Sequence, residues 1–215
     1  MSSNVEKPVT ALSFGLLAVV APILAIGGSH LVWSVNFIAL LALCVLLAAM
    51  LLQKHVAILA GAALVCAIIA SSGQWILLPL VVAQIGLAWI ISTQSLTHPV
   101  QVSGLLILAA FMQVALTMTE SHVLTSTFLL DLGFGLLPFI LAAFARQLPL
   151  PVIGLGEIVI VVAAYVAQRF TLIPAFVTIL WTLLPAKRKR DWPEYYWLGG
   201  ALLVSILVHL SMLHG

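Results

Sequence analysis

Nine apolar runs follow one another along this chain, at 10–27, 31–52, 56–71, 75–92, 100–119, 123–145, 151–168, 171–185 and 195–212. A helix needs ~20 predominantly apolar residues, and ~17 at the least, to cross the ~30 Å hydrocarbon core of a bilayer. Backbone N–H and C=O groups in lipid must find partners within their own segment, so these runs are expected as helices and not as strands of an open sheet. The expected fold is therefore all-α, a polytopic transmembrane helix bundle of about nine spans. Eight spans result if one of the short runs, 56–71 or 171–185, is a half-helix or lies tilted at an edge.

Of the 215 residues, 64% are hydrophobic and 7% charged, outside the range of a soluble globular domain, so lipid is expected to be the main solvent. The connections GGSH, QKH, SSGQ and ESH are a few residues long, which makes consecutive helices antiparallel neighbours. Residues 1–215 thus read as a single transmembrane domain without a soluble one. The first apolar run has a charged flank but no small-residue cleavage site and is taken as a first span, not a signal peptide.

Orientation follows from the basic residues. With the N-terminus cytoplasmic, Lys7, Lys54, Arg146 and the run Lys187-Arg188-Lys189-Arg190 all fall on the cytoplasmic side, Arg169 alone falls opposite, and the C-terminus is external. This places the chain as a multi-pass protein of a bacterial inner membrane. Trp33, Trp75, Trp192, Tyr195, Tyr196 and Trp197 lie near expected helix ends, where aromatic rings favour the headgroup zone. A formal net charge of +2 and the lack of a basic patch interleaved with aromatics argue against nucleic acid as a partner.

Two acids, Asp131 and Glu157, lie inside apolar runs. Ionisable residues at such depth are costly and usually mark an ion or proton path. Counting from the ends of the runs, Asp131 lies roughly 12 Å below the external end and Glu157 roughly 10 Å above the cytoplasmic one. Their heights then differ by less than ~10 Å, and the two are expected to share a polar pocket. Two carboxylates in a poorly solvated pocket cannot both ionise cheaply, a property that a proton relay uses.

Asp131 heads a stripe through Gly135, Pro138 and Ala142, and Glu157 one through Val161, Ala164 and Gln168 with Tyr165 alongside. Gln84 and Gln113 are the next polar side chains at depth, followed by Asn36. They are expected to bridge helices or to line a water wire. The candidate path is thus Asp131, Glu157, Gln84, Gln113, Tyr165 and Gln168.

Catalytic signatures are lacking: no GxSxG, HExxH or Walker loop occurs. The histidines, His30, His55, His98, His122, His209 and His214, do not pair for haem or zinc, and Cys44 and Cys66 sit within apolar runs as small apolar side chains. No cofactor and no metal are expected.

The segment from Gln94 to Gln147 carries Gln101-Val102-Ser103-Gly104, an apolar run, and Phe128-Leu129-Leu130-Asp131-Leu132-Gly133-Phe134-Gly135, ending in Ala145-Arg146. In these motifs it resembles the E-type small membrane subunit of energy-converting hydrogenases, itself similar to the K-type subunit of respiratory complex I. The resemblance implies an all-helical subunit lodged beside larger antiporter-like membrane subunits, with helix-borne carboxylates in a proton-translocating axis. Gln101, Gly104 and Asp131 match the family pattern. The family's glutamate does not, since Leu108-Ala109-Ala110-Phe111 stands in its place.

The leading expectation is thus an integral inner-membrane subunit of a proton- or ion-translocating complex. The alternatives are a stand-alone proton-coupled transporter or channel for a small solute and, third, an intramembrane enzyme acting on a lipid or quinone.

Overall fold

The computed structural model describes residues 5–26, 32–188 and 191–213. Among them are nine α-helices and no strand: α1 Glu6–Ile26, α2 Val35–Leu51, α3 Val56–Ala70, α4 Leu78–Thr93, α5 His98–Ser121, α6 Ser126–Ala143, α7 Leu150–Val166, α8 Leu172–Arg188 and α9 Glu194–Leu213. Four segments are long and apolar enough to cross a membrane, namely Glu6–Leu24, Trp75–Thr93, His98–Ser121 and Ser126–Ala143. Shorter apolar helices occupy Val35–Leu51, Val56–Ala70, Leu150–Val166 and Leu172–Pro185. His30, His214 and the Lys189-Arg190 half of the basic run lie outside the described residues.

Helix starts follow local chemistry. Ser34 and Thr125 are N-caps whose hydroxyls accept from Phe37 N at 3.1 Å and Phe128 N at 3.2 Å, satisfying backbone donors that lack a helical partner. Pro79, Pro99 and Pro151 lie in the first turns of α4, α5 and α7, where a missing N–H costs nothing. The end of α7 is a Schellman motif. Gln168 takes a left-handed φ of 59°, its N–H reaches Tyr165 O at 2.9 Å and that of Arg169 reaches Ala164 O at 2.8 Å.

Cross-helix polar contacts sort the connections into two sets. At one end, here the proximal end, Lys7 bonds Gln53, Arg146 pairs with Asp191, and His98 Nε2 lies 2.7 Å from Trp192 O. At the distal end, Asn36 Nδ2 donates to Ser72 O at 2.6 Å while Ser72 Oγ donates to Asn36 Oδ1 at 3.0 Å. There too Val32 N donates to Glu120 at 3.1 Å, and Gln74 bonds His122. Successive helices therefore run in alternate directions, as the short connections require.

Between the ends the bundle is apolar inside and out. Phe14, Leu17, Leu40, Leu43, Leu47, Met50, Leu106, Leu108, Met112 and Phe139 are fully buried. Large apolar side chains such as Ile58, Ile76, Leu155, Val159 and Val166 also cover the outer faces, as expected of helices that pack against lipid. The centre is α5, with 72% of its apolar stretch buried against 33–39% in the other three long segments.

Candidate functional site

Asp131 lies six residues into α6, on the turn that faces α1, α5 and α9. The stripe expected of it forms: Gly135, Pro138 and Ala142 are all buried. Gly135 faces Ser205 of α9, whose Oγ would stand in ordinary contact, 3.8 Å, from a Cβ at position 135. What remains is a cavity of about 90 Å³ lined by Ala21, Gln113, Asp131, Gly135, Ser205 and His209, among others. Its volume is enough for a few water molecules, and four of its lining side chains are polar.

The cavity sits beside an irregularity of α1. Pro22 has no N–H and leaves the carbonyl of Ala18 without its helical donor. One residue earlier, Leu17 O accepts from Gln113 Nε2 of α5 at 2.9 Å. Gln113 is 3% exposed, so its bond clamps α5 to α1 at the cavity wall. Replacing Gln113 with leucine is expected to cost about 0.5–2 kcal/mol, as for interhelical polar contacts generally. Unfolding of the purified protein in detergent measures it.

Asp131 has a partner that lies outside its own helix pair interface with α5. Arg169 Nε stands 3.7 Å from Asp131 Oδ1, with side-chain exposures of 23% and 29%. This is an ion pair without a close hydrogen bond, and both atoms lack any other hydrogen-bond partner. The Schellman motif explains the placement, since the left-handed turn at Gln168 folds residue 169 back over the end of α7 towards α6. Arg169, the cation that fell on the wrong side of the sequence-based orientation, thus stands against the carboxylate of the neighbouring helix.

Glu157 occupies different surroundings. It is 1% exposed, midway along α7, in line with buried Val161 and Ala164. Thr182 Oγ1 of α8 donates to Glu157 Oε2 at 2.8 Å and lies equally 2.8 Å from Thr178 O. One hydroxyl hydrogen cannot serve both acceptors, so Glu157 Oε2 and Thr178 O are both bonded through Thr182 only when the carboxyl carries a proton and donates to it. Glu157 Oε1 has no partner.

The two acids do not meet as the sequence suggested. A Cβ on Gly156 would come within 2.6 Å of Leu141 Cδ2, which sets this turn of α7 against the far part of α6. Some nine or ten residues, roughly 14 Å of helix rise, then separate Glu157 from the level of Asp131. The cavity at Asp131 does not include Glu157.

The other expected path residues are likewise dispersed. Tyr165 is 51% exposed and Gln168 exposed, both on the outside of α7 beside Phe170 and Leu172. Gln84 of α4 is fully buried, and neither atom of its amide has a partner. Of the six, Asp131 and Gln113 share a site.

Three contributors escaped the sequence reading: Arg169 as the partner of Asp131, and Ser205 and His209 as the α9 wall. Ser205 and His209 are four residues apart in an otherwise apolar helix, which puts them on one face. That spacing was a readable signal. The same holds for Thr178 and Thr182 opposite Glu157.

Comparison of the chain with protein-family models, with curated proteins and with solved structures finds no match.

Proposed function

We propose that this chain is a multi-pass protein of a bacterial inner membrane that translocates protons or a small ion, with Asp131 as the exchanging carboxylate. All nine helices are taken as spans, the proximal end as cytoplasmic and the distal end as external. The observation that carries the reading is a carboxylate that is paired at 3.7 Å and borders a cavity with Gln113, Ser205 and His209. Asp131 is partly buried and its Oδ1 has no close hydrogen bond, whereas an acid serving only as packing would be expected to have its enclosed oxygens tied down by short ones.

The proposed path runs along α1, α5 and α9, which run in the same direction. A second, polar cavity opens on the same three helices at the proximal end, lined by Lys7, Thr10, Gln101 and Glu194 among others. Between the two cavities stand Phe14, Leu17, Ala109 and Met112, all fully buried. This apolar plug spans about eight residues of α5, roughly 12 Å, and must part or hydrate for an ion to pass.

The residues shared with the E-type hydrogenase subunits favour a second form of the reading, in which the chain acts beside a larger antiporter-like subunit. Gln101 lines the proximal cavity and Asp131 the distal one, while Gly104 lets α5 close on Ile91 of α4, 3.0 Å from where a Cβ would be.

Proteoliposomes of the purified chain separate the two forms. Proton or cation flux by the chain alone supports independent transport. Flux that appears only with a co-purified larger membrane protein supports the subunit. Flux in neither preparation removes the proposal. In the active preparation, Glu157→Gln is expected to keep flux within about 2-fold of wild type, because an amide can donate to Thr182 as the protonated acid does. A loss of tenfold or more would bring Glu157 into the path.

A further inference from the structure

The proximal cavity has a volume of about 320 Å³, at the lower end of the ~300–1,000 Å³ typical of small-molecule sites. Its neutral polar side chains come from places far apart in sequence. Thr10 lies early in α1, Gln53 in the α2–α3 turn, Gln94 and Ser95 between α4 and α5, and Gln101 in the first turn of α5. We propose that the cavity binds a small neutral polyhydroxyl compound, either a free sugar or the sugar headgroup of a glycolipid.

Two observations lead there. Thr10 is 7% exposed, and its Oγ1 has no hydrogen-bond partner among the described residues. A buried hydroxyl in that state is costly unless something else completes it, and this one lines an open cavity. The second observation is the character of the lining. Each of the three glutamine amides presents a carbonyl and an NH2 group, and each of the two hydroxyls can donate or accept. Of the charged groups, Lys7 and Glu194 offset one another, and Glu6 is engaged in an interaction of its own. A ligand of net charge would go uncompensated here, which costs far more than enclosing a hydroxyl that finds its partners.

A sugar hydroxyl is at once donor and acceptor, so a ring that carries several of them matches a lining of amides and hydroxyls. An ammonium group, which only donates, and a carboxylate, which only accepts, each match half of it. The C–H faces of the ring suit Leu51, Ile91 and Leu105, which line the same cavity. The site is read by binding and not by flux, so it stands or falls separately from the role of Asp131.

The test uses the full-length protein in a detergent without a sugar head, with radiolabelled glucose and equilibrium dialysis. A parallel arm adds glucosyldiacylglycerol and phosphatidylethanolamine to the detergent micelles and compares how much of each stays with the protein through purification. Saturable glucose binding that unlabelled mannitol displaces, and that alanine, ethanolamine and acetate do not, is the expected result for a free sugar. Selective retention of glucosyldiacylglycerol without binding of free glucose assigns the lipid source. In either case Thr10→Val and Gln101→Leu are expected to weaken binding at least tenfold, and Thr10→Ser, which keeps the hydroxyl, to retain it. The proposal is overturned if neither probe is held, which would make the cavity a vestibule for water alone, or if the zwitterion, the amine or the anion competes as well as mannitol. It is overturned too if Thr10→Val and Gln101→Leu, folded by their thermal transitions, bind like wild type.

Discussion

Asparagine in place of Asp131 is expected to lower ion flux at least tenfold in the active preparation while the protein stays folded. The substitution keeps the shape of the side chain and one of its oxygens. It removes both the ionisable group and the charge that faces Arg169. The cost in stability is small, because both partners are partly exposed and such pairs contribute about 0–1 kcal/mol. Arg169, at the end of α7, can turn its long side chain towards water once the carboxylate is gone. Asp131→Glu keeps the acid and is expected to retain measurable flux. Wild-type flux in Asp131→Asn, measured in proteoliposomes under an imposed pH gradient, would return this carboxylate to a packing role.

The second large effect is structural. Gly200 of α9 packs where a Cβ would lie 2.4 Å from Trp181 Nε1, 2.5 Å from Trp181 Cδ1 and 2.7 Å from Phe139 Cε1. None of these is the free end of a flexible chain. Trp181 Nε1 donates to Tyr196 O at 3.1 Å, Tyr196 Oη donates back to Trp181 O at 3.0 Å, and the two rings stack at 4.9 Å. Phe139 is fully buried.

Gly200→Ala must therefore push α9 away from α6 and α8 or break the Trp181–Tyr196 exchange. Overpacking of this kind costs about 1–3 kcal/mol, and the lost bonds add to it. Gly199→Ala is the control, since nothing lies within 4 Å of a Cβ at that position. Detergent-solubilised Gly200→Ala is expected to melt several degrees below both wild type and Gly199→Ala. Equal transitions in all three would show that the contact yields without cost.

The helices lie where the apolar runs placed them, because run length and the need to pair backbone groups leave lipid-facing chains little choice. The ends moved for local reasons. The run at 31–52 becomes a helix that starts at Val35, since Ser34 caps it, and the run at 171–185 continues to Arg188, through Pro185. The site was less legible. Counting depth from residue 123 put Asp131 eight residues in, whereas the Thr125 cap starts the helix at Ser126 and leaves it five residues from that end. Hydropathy also carries no rotation about the helix axis, so it could not say that Glu157 faces Thr182 of α8 while Asp131 faces the α9 pair.

The Asp131–Arg169 pair has a consequence for how the protein is made. If α6 and α7 both span with their distal ends external, as proposed above, those ends cross the bilayer during insertion bearing one negative and one positive charge. Carried across singly, each would meet a steep barrier in hydrocarbon. Joined within one hairpin they travel as a neutral dipole, so a basic residue can reach the far side without pulling the topology of its neighbours around.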